Sequence, residues 1–223
     1  MTAALIFDTE TTDLPLWSER STHPDQPHIV QLAALLSRAD GDVSGSMNVI
    51  VRPSGYTSMP QKAFETHGIS FERAMDEGIP LADALDEFNA LMALTDELVA
   101  HNISFDVRLM RIAFLRAGKE PARENLPKVC TMTAATRLVN LPPTDRMRAA
   151  GFNKPKSPSL AECIRHFFGE DLDGAHDAMV DVRACARVYW HLKGLGVAPA
   201  KAAPAKAPAP KVSAAGLDLT GVL

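Results

Sequence analysis

Ala3-Ala4-Leu5-Ile6-Phe7-Asp8-Thr9-Glu10-Thr11-Thr12-Asp13-Leu14 is the stretch on which the fold turns. Its five opening apolar residues are too few for a buried helix and suit an interior strand. Asp8 and Glu10 then appear where a central strand should carry no acid. Two residues apart in extended chain, they project from one face. Two carboxylates side by side repel each other and lose hydration, a cost that a cation or an acid–base task offsets. The bland alternative is a strand running out into a solvated acidic turn. The stretch alone leaves both readings open.

The rest of the composition narrows the class. A chain of 223 residues, 46% hydrophobic, can build a substantial core in one large domain or two small ones. The formal charge of -4 is unevenly placed, because Lys201, Lys206 and Lys211 lie beyond Val197 against Asp218 alone. The body is therefore more acidic than the whole. That does not suggest a general nucleic-acid coat, but it suits a nuclease whose acids hold cations. Cys130, Cys163 and Cys185 are odd in number and widely spaced, so neither a disulfide framework nor a zinc pattern is expected. A reducing, cytoplasmic setting follows. The N-terminus has no charged leader region and no run is long enough to span a bilayer, so no membrane is expected.

Taken in order, a proline-broken loop from Pro15 to about His28 leaves the acidic end of the first strand and should border the same site. Trp17 in it could stack on a base or simply pack the loop down. Ile29 to Leu36 reads as a second strand, Asp40-Gly41-Asp42 as a turn, and Met47 to Arg52 as a third strand stopped by Pro53. Short links make these an antiparallel meander. Helices are expected over Gln61–His67, Ser70–Asp76 and Leu81–Leu94. Leu98-Val99-Ala100 is a short fourth strand, followed by His101-Asn102 and a helix from about Phe105 to Ala117 with Ser104 as N-cap. Val129-Cys130-Thr131 suits a fifth, edge strand, and Thr133 to Val139 a helix. Leu141 to Pro158 reads as a loop. Ser159-Leu160-Ala161-Glu162 is a capping box opening a helix through Phe168, stopped by Gly169. A last helix runs from about Asp177 to Leu192.

Two more acids sit at matching places. Asp106 lies in the first turn of the helix after strand four, where the helix dipole favours an anion. Asp181 lies in the last helix, five residues after His176. Five is not a helical neighbour spacing, so His176 should sit in the turn before that helix and reach over from the side. Asp177, four residues before Asp181, is a rival for its role; its plainer reading is an acid at a helix N-terminus.

The order of these features is more telling than any one of them. Asp-x-Glu ends a buried strand, Asp begins a helix after His-Asn, and His-x-x-x-x-Asp opens a late helix. Phe7 to Leu14, His101 to Asp106 and His176 to Asp181 resemble the three motifs of the DEDD family of 3′–5′ exonucleases, in its histidine branch. Within that family the chain is similar to the proofreading (epsilon, DnaQ-like) group of bacterial replicative polymerases. Asp13 stands where glycine is usual, in the turn and away from the ligands. The resemblance spans Leu5 to about Leu192. It implies an α/β, ribonuclease-H-like fold with a mixed five-stranded sheet and helices on both faces.

The resemblance also implies the chemistry. Asp8, Glu10, Asp106 and Asp181 would hold two Mg²⁺ or Mn²⁺ ions, oxygen ligands selecting hard cations over zinc. Two ions about 3.5–4 Å apart serve an in-line displacement at phosphorus. Glu10 would also contact the terminal 3′ hydroxyl, and His176 would take the proton from the attacking water. Thr9, Thr11, Asn102 and Phe105, inside the motifs, join Trp17 as candidate nucleic-acid contacts. His101 is expected to be structural or to support a ligand, and His67 to end a helix. Arg146, Arg148, Lys154 and Lys156 form the best local phosphate candidate in an acidic body, against a plain solvated loop.

The expected activity is metal-dependent hydrolysis at single-stranded DNA 3′ ends, in proofreading or repair. An RNA 3′-end trimmer of the same superfamily is the nearest alternative. A catalytically silent module that binds nucleic acid or a polymerase is the alternative of another class. Residues 1–196 are assigned to the exonuclease domain and 197–215 to an Ala/Pro/Lys-rich linker. Residues 216–223 end the tail in an apolar tip. Leu217-Asp218-Leu219 there resembles the core of sliding-clamp-binding peptides without the flanking glutamine and phenylalanine, which leaves two readings, a ligand for a clamp or polymerase subunit and a frayed terminus that binds nothing.

Overall fold

A computed structural model describes residues 2–38 and 42–197. The turn expected around Asp40-Gly41, the linker beyond Val197 and the terminal peptide lie outside them. Five strands form one sheet: β1 (Ala3–Thr11), β2 (Ile29–Arg38), β3 (Val43–Ile50), β4 (Glu97–Ala100) and β5 (Lys128–Cys130). Their order is β3-β2-β1-β4-β5. β1–β2 and β2–β3 pair antiparallel, and β1–β4 and β4–β5 pair parallel. The first three can be joined by loops alone. The parallel pair needs crossovers, which helices supply. This is the mixed α/β, ribonuclease-H-like sheet that the resemblance implies.

Eight helices occur among the described residues: α1 (Gln61–His67), α2 (Phe71–Glu77), α3 (Leu81–Met92), α4 (Ile103–Ala117), α5 (Thr131–Val139), α6 (Asp145–Ala149), α7 (Leu160–Phe168) and α8 (Ala178–Gly194). Side-chain alternation along β1 splits the core between them. Leu5 and Phe7 pack with Leu85 and Phe88 of α3 and Leu109 of α4. Ala4 and Ile6 pack on the other face with Val182, Cys185 and Tyr189 of α8. The five-residue apolar run is thus buried on both faces, and its continuation delivers Asp8 and Glu10 to the α8 side and Thr9 to the α4 side. No helix among the described residues is long and apolar enough to cross a membrane. All three cysteines are free and buried.

Several boundaries depart from expectation for physical reasons. β3 starts at Val43 and ends at Ile50, four and two residues before the expected limits. It is an edge strand with mostly exposed side chains, so no apolar alternation marks its start; Val51 instead bridges Ile79. α4 begins at Ile103, with Asn102 at its N-cap in the left-handed region (φ 71°), so Ser104 is not the cap. Its hydroxyl donates to Asn102 Oδ1 at 3.3 Å. Thr131 belongs to α5 and not to β5. The loop from Leu141 to Pro158 contains α6, capped by Thr144 and burying nothing, which is why no periodicity betrays it. The Ser159–Glu162 capping box forms as read.

Candidate active site

The left-handed turn at Asn102 swings the chain from β4 straight into α4, so the first turn of α4 stands over the end of β1. That places Asp106, 2% exposed, against Thr9, whose hydroxyl donates to Asp106 Oδ1 at 3.0 Å. From the other face α8 brings Asp181. His176 precedes α8 with φ 71°, and its backbone N–H donates to Asp181 Oδ2 at 3.1 Å. The five-residue gap is therefore closed through the backbone, with the imidazole left in the turn before the helix. Glu10, His176 and Asp181 each present a ligand atom, all within 4.8 Å of one another. Asp177 does something different: its carboxylate accepts from Met179 N–H and Val180 N–H and caps α8. Gln31 on β2 pins the same helix start, accepting from Ala178 N–H at 3.2 Å while its amide donates to Asn48.

Electrostatics make this cluster costly. Burial, then Asp106, Glu10 and Asp181, push Asp8 well above the usual carboxylate range. Glu10 is pushed up to about 8, by burial first and then by Asp181 and Asp106. Burial raises Asp106 to about 7 against the opposing bond from Thr9. Asp181 is raised by burial, and its Oδ1 is buried with no hydrogen-bond partner among the described residues. Acids that repel one another, from which water is withdrawn and one of whose oxygens is orphaned, fit a divalent cation; the donor set is oxygen-rich and hard, with one imidazole at its edge.

The acids open on a cleft of about 330 Å³. Asp8, Glu10, Asp181 and His176 line one side, with Thr9, Thr11 and Phe105 beside them. The opposite wall is α1, which contributes Lys62, Thr66 and His67. Sequence reading missed this wall, since nothing in Gln61–His67 marks it as near β1. His67 ends α1 as expected, but it also faces the site. Its Nδ1 accepts from Ile69 N–H at 3.1 Å, which leaves the ring proton on Nε2, and Nε2 is buried without a partner.

The other candidates lie elsewhere. Neither Asn102, the α4 N-cap, nor Trp17, 47% exposed in its loop, lines the cleft. None of Arg146, Arg148, Lys154 and Lys156 lines the cleft. Arg148 pairs with Asp145 at 2.5 Å, and Lys156 with Glu162 at 2.6 Å. His101 has no capacity left for a metal. Its Nε2 donates to Pro158 O at 3.1 Å and its Nδ1 accepts from Thr131 at 2.9 Å. Burial pushes it down to about 4.

A family model described as "Exonuclease" matches residues 5–189, which include every acid of the cleft. The chain belongs to the exonuclease family. That agrees with the resemblance to the DEDD exonucleases carried by the three motifs. Among solved structures the chain is similar to Escherichia coli exonuclease I in complex with a dT13 oligonucleotide (21% identity, TM-score 0.67, covering 86% of this chain and 41% of that one). A zinc-bound form of the E. coli exonuclease I complex with single-stranded DNA gives 20% identity and TM-score 0.67 over 87% of this chain and 41% of that one. A moderately thermophilic exonuclease I from Methylocaldum szegediense gives 19% identity and TM-score 0.64 over 87% of this chain and 41% of that one. At such identity the likeness is one of fold, and the chain spans about two-fifths of their length. No curated protein matches the chain.

Proposed function

We propose that this exonuclease-family chain hydrolyses single-stranded DNA from the 3′ end, releasing mononucleotides, in proofreading or repair. One observation carries the reading: four raised, crowded carboxylates from β1, α4 and α8, of which Asp8, Glu10 and Asp181 open with the His176 imidazole on a single cleft and Asp106 lies buried against them. Asp8, Glu10, Asp106 and Asp181 would hold two Mg²⁺ or Mn²⁺ ions, which supply positive charge for the attacking and leaving oxygens. Thr9 orients the Asp106 carboxylate from below. Asp181 Oδ2 is fixed by the His176 backbone, which leaves Oδ1 as its unused ligand atom.

His176, exposed and held at the rim by its left-handed turn, receives the proton of the attacking water at its imidazole. Glu10, with Thr11 and Phe105 beside it, contacts the terminal nucleotide. The similar exonuclease I structures, two of them with single-stranded DNA and one of those with zinc, support the substrate class and leave the ion to experiment.

A 5′-labelled DNA oligomer with Mg²⁺, Mn²⁺ or Zn²⁺, compared with the matched RNA, tests the reading. Mononucleotide release from DNA with Mg²⁺ or Mn²⁺ is expected. Preference for RNA would make the chain an RNA trimmer, and binding without release a silent module. The resemblance to the proofreading group supports a polymerase subunit or sliding clamp as partner of the terminal peptide, with the residues from 197 to 215 as tether and a cytoplasmic setting. Truncation after Val197 should leave hydrolysis of short free oligomers intact and weaken only that complex.

A further inference from the structure

A second cleft, of about 400 Å³, lies at the same end of the sheet as the acids. Thr11 of β1 pairs with Ile29 of β2, so the chain leaving β1 and the chain entering β2 meet there. Thr12 N–H donates to His28 O and His28 N–H donates to Thr12 Oγ1, both at 3.0 Å. Thr12 lines the acidic cleft and His28 the second one. One hydrogen-bonded residue pair is all that separates them.

The chemistry of the two sides is opposite. Among the described residues no acid lines the second cleft. Its charged lining groups are Arg52 and Arg116, and neither has a carboxylate partner among the described residues. Arg116 is held in place, donating to Pro27 O at 2.9 Å and to Gln26 O at 2.8 Å. Those bonds orient the guanidinium without neutralising it. Arg52 is exposed at the rim, and only its backbone is engaged, N–H to Ile79 O. The cleft also has an aromatic surface. The rings of His28 and Tyr56 lie 4.7 Å apart. Gly55 lets the loop approach them, with φ 85° and space in which a β-carbon would come within 3.3 Å of the His28 ring. The Tyr56 hydroxyl is buried with no hydrogen-bond partner among the described residues. A guanidinium pair without a carboxylate partner, beside two adjacent aromatic rings, is the chemistry that grips single strands.

We propose that the second cleft holds single-stranded DNA upstream of the 3′ end seated in the acidic cleft, with Arg52 and Arg116 on backbone phosphate and the His28–Tyr56 pair against a base. The proposal rests on the exonuclease reading. It moves the phosphate grip from the loop of α6, where two of four cations are already paired, to a place where none is.

The test compares the full chain with Arg52→Ala and Tyr56→Leu on a dinucleotide and on a DNA oligomer of about twelve nucleotides, within the span such grooves cover. Arg52→Ala should raise KM for the long oligomer about tenfold relative to KM for the dinucleotide. It should also reduce the salt dependence of oligomer binding by about 0.7 in log–log slope, the share of one single-strand phosphate. Tyr56→Leu, which removes the aromatic ring, should raise the same KM ratio about threefold. An unchanged KM ratio and salt slope in both variants would overturn the proposal while leaving the exonuclease reading intact. A wild-type chain that cleaves neither substrate would sink both, and the two failures are distinguished by that control.

Discussion

Two clefts share the Thr12–His28 pair as a wall and differ in almost everything else. The acidic one is built on a single strand end, with Asp8 and Glu10 two residues apart and the remaining groups brought to them. The basic one is assembled from the entry to β2, the exit of β3, the start of α3 and the middle of α4, with no two of its key groups adjacent in sequence. In the first, burial raises carboxylates; in the second, burial together with Arg116 pushes His28 down to about 4. A motif therefore announces the cleft proposed to do chemistry. A cleft proposed only to hold the chain leaves no such trace, because binding a phosphate needs charge at a place and not residues at a spacing.

The largest effects belong to the acidic side. Asp8→Ala, Glu10→Ala, Asp106→Ala and Asp181→Ala should each lower kcat by 10³-fold or more, and double variants should lose little beyond the singles. Additive losses would show that the four do not act as one unit. His176→Ala should cost roughly 10²–10⁴-fold in kcat while metal binding by titration calorimetry persists. Asp177→Ala should keep activity and lose only the cap, worth about 1 kcal/mol or a few degrees in Tm. An inactive Asp177→Ala beside an active Asp181→Ala would reverse the assignment.

Next is a pH effect that separates the metal-free acids from ordinary surface carboxylates. Glu10 and Asp106 keep their protons in the folded chain up to about 8 and about 7, whereas an unfolded chain releases them near pH 4. Between those values the folded state binds more protons, so its stability falls as pH rises. The Tm of metal-free protein should therefore drop by several degrees from about pH 5 to about pH 8. Added Mg²⁺ should recover most at the alkaline end. A metal-free Tm that climbs across this window would mean the acids are ionised without a cation.

Smaller effects sharpen the boundary of the site. His67→Asn keeps an acceptor for Ile69 N–H but removes the Nε2 donor, and should raise KM a few-fold with Tm unchanged; His67→Gln should restore part of it. Wild-type KM in both would confine His67 to its turn. Smallest of all, neutralising Arg148 and Lys156 should leave oligomer binding unaltered, because both are already engaged in ion pairs, the exposed one with Asp145 and the half-buried one with Glu162. Any flattening of the salt slope from that loop should come from Arg146 and Lys154.

The sequence by itself determined the sheet and the acids. A run such as Ala3 to Phe7 suits an interior strand, and carboxylates at its end, at a helix start and at a late helix start follow the backbone periods that chain neighbours impose. It also determined the Ser159–Glu162 cap and the displaced position of His176, because five residues do not fit a helical face. Tertiary structure alone decided which acid is a cap and which faces the cleft, since Asp177 and Asp181 differ only in what the turn at His176 leaves open. It alone set α1 as the opposite wall, turned His101 inward to Pro158 and Thr131, and placed Gln31 under α8. It alone gathered Arg52, Arg116, His28 and Tyr56 into one basic cleft. These are contacts between residues tens of positions apart, and no local period encodes them.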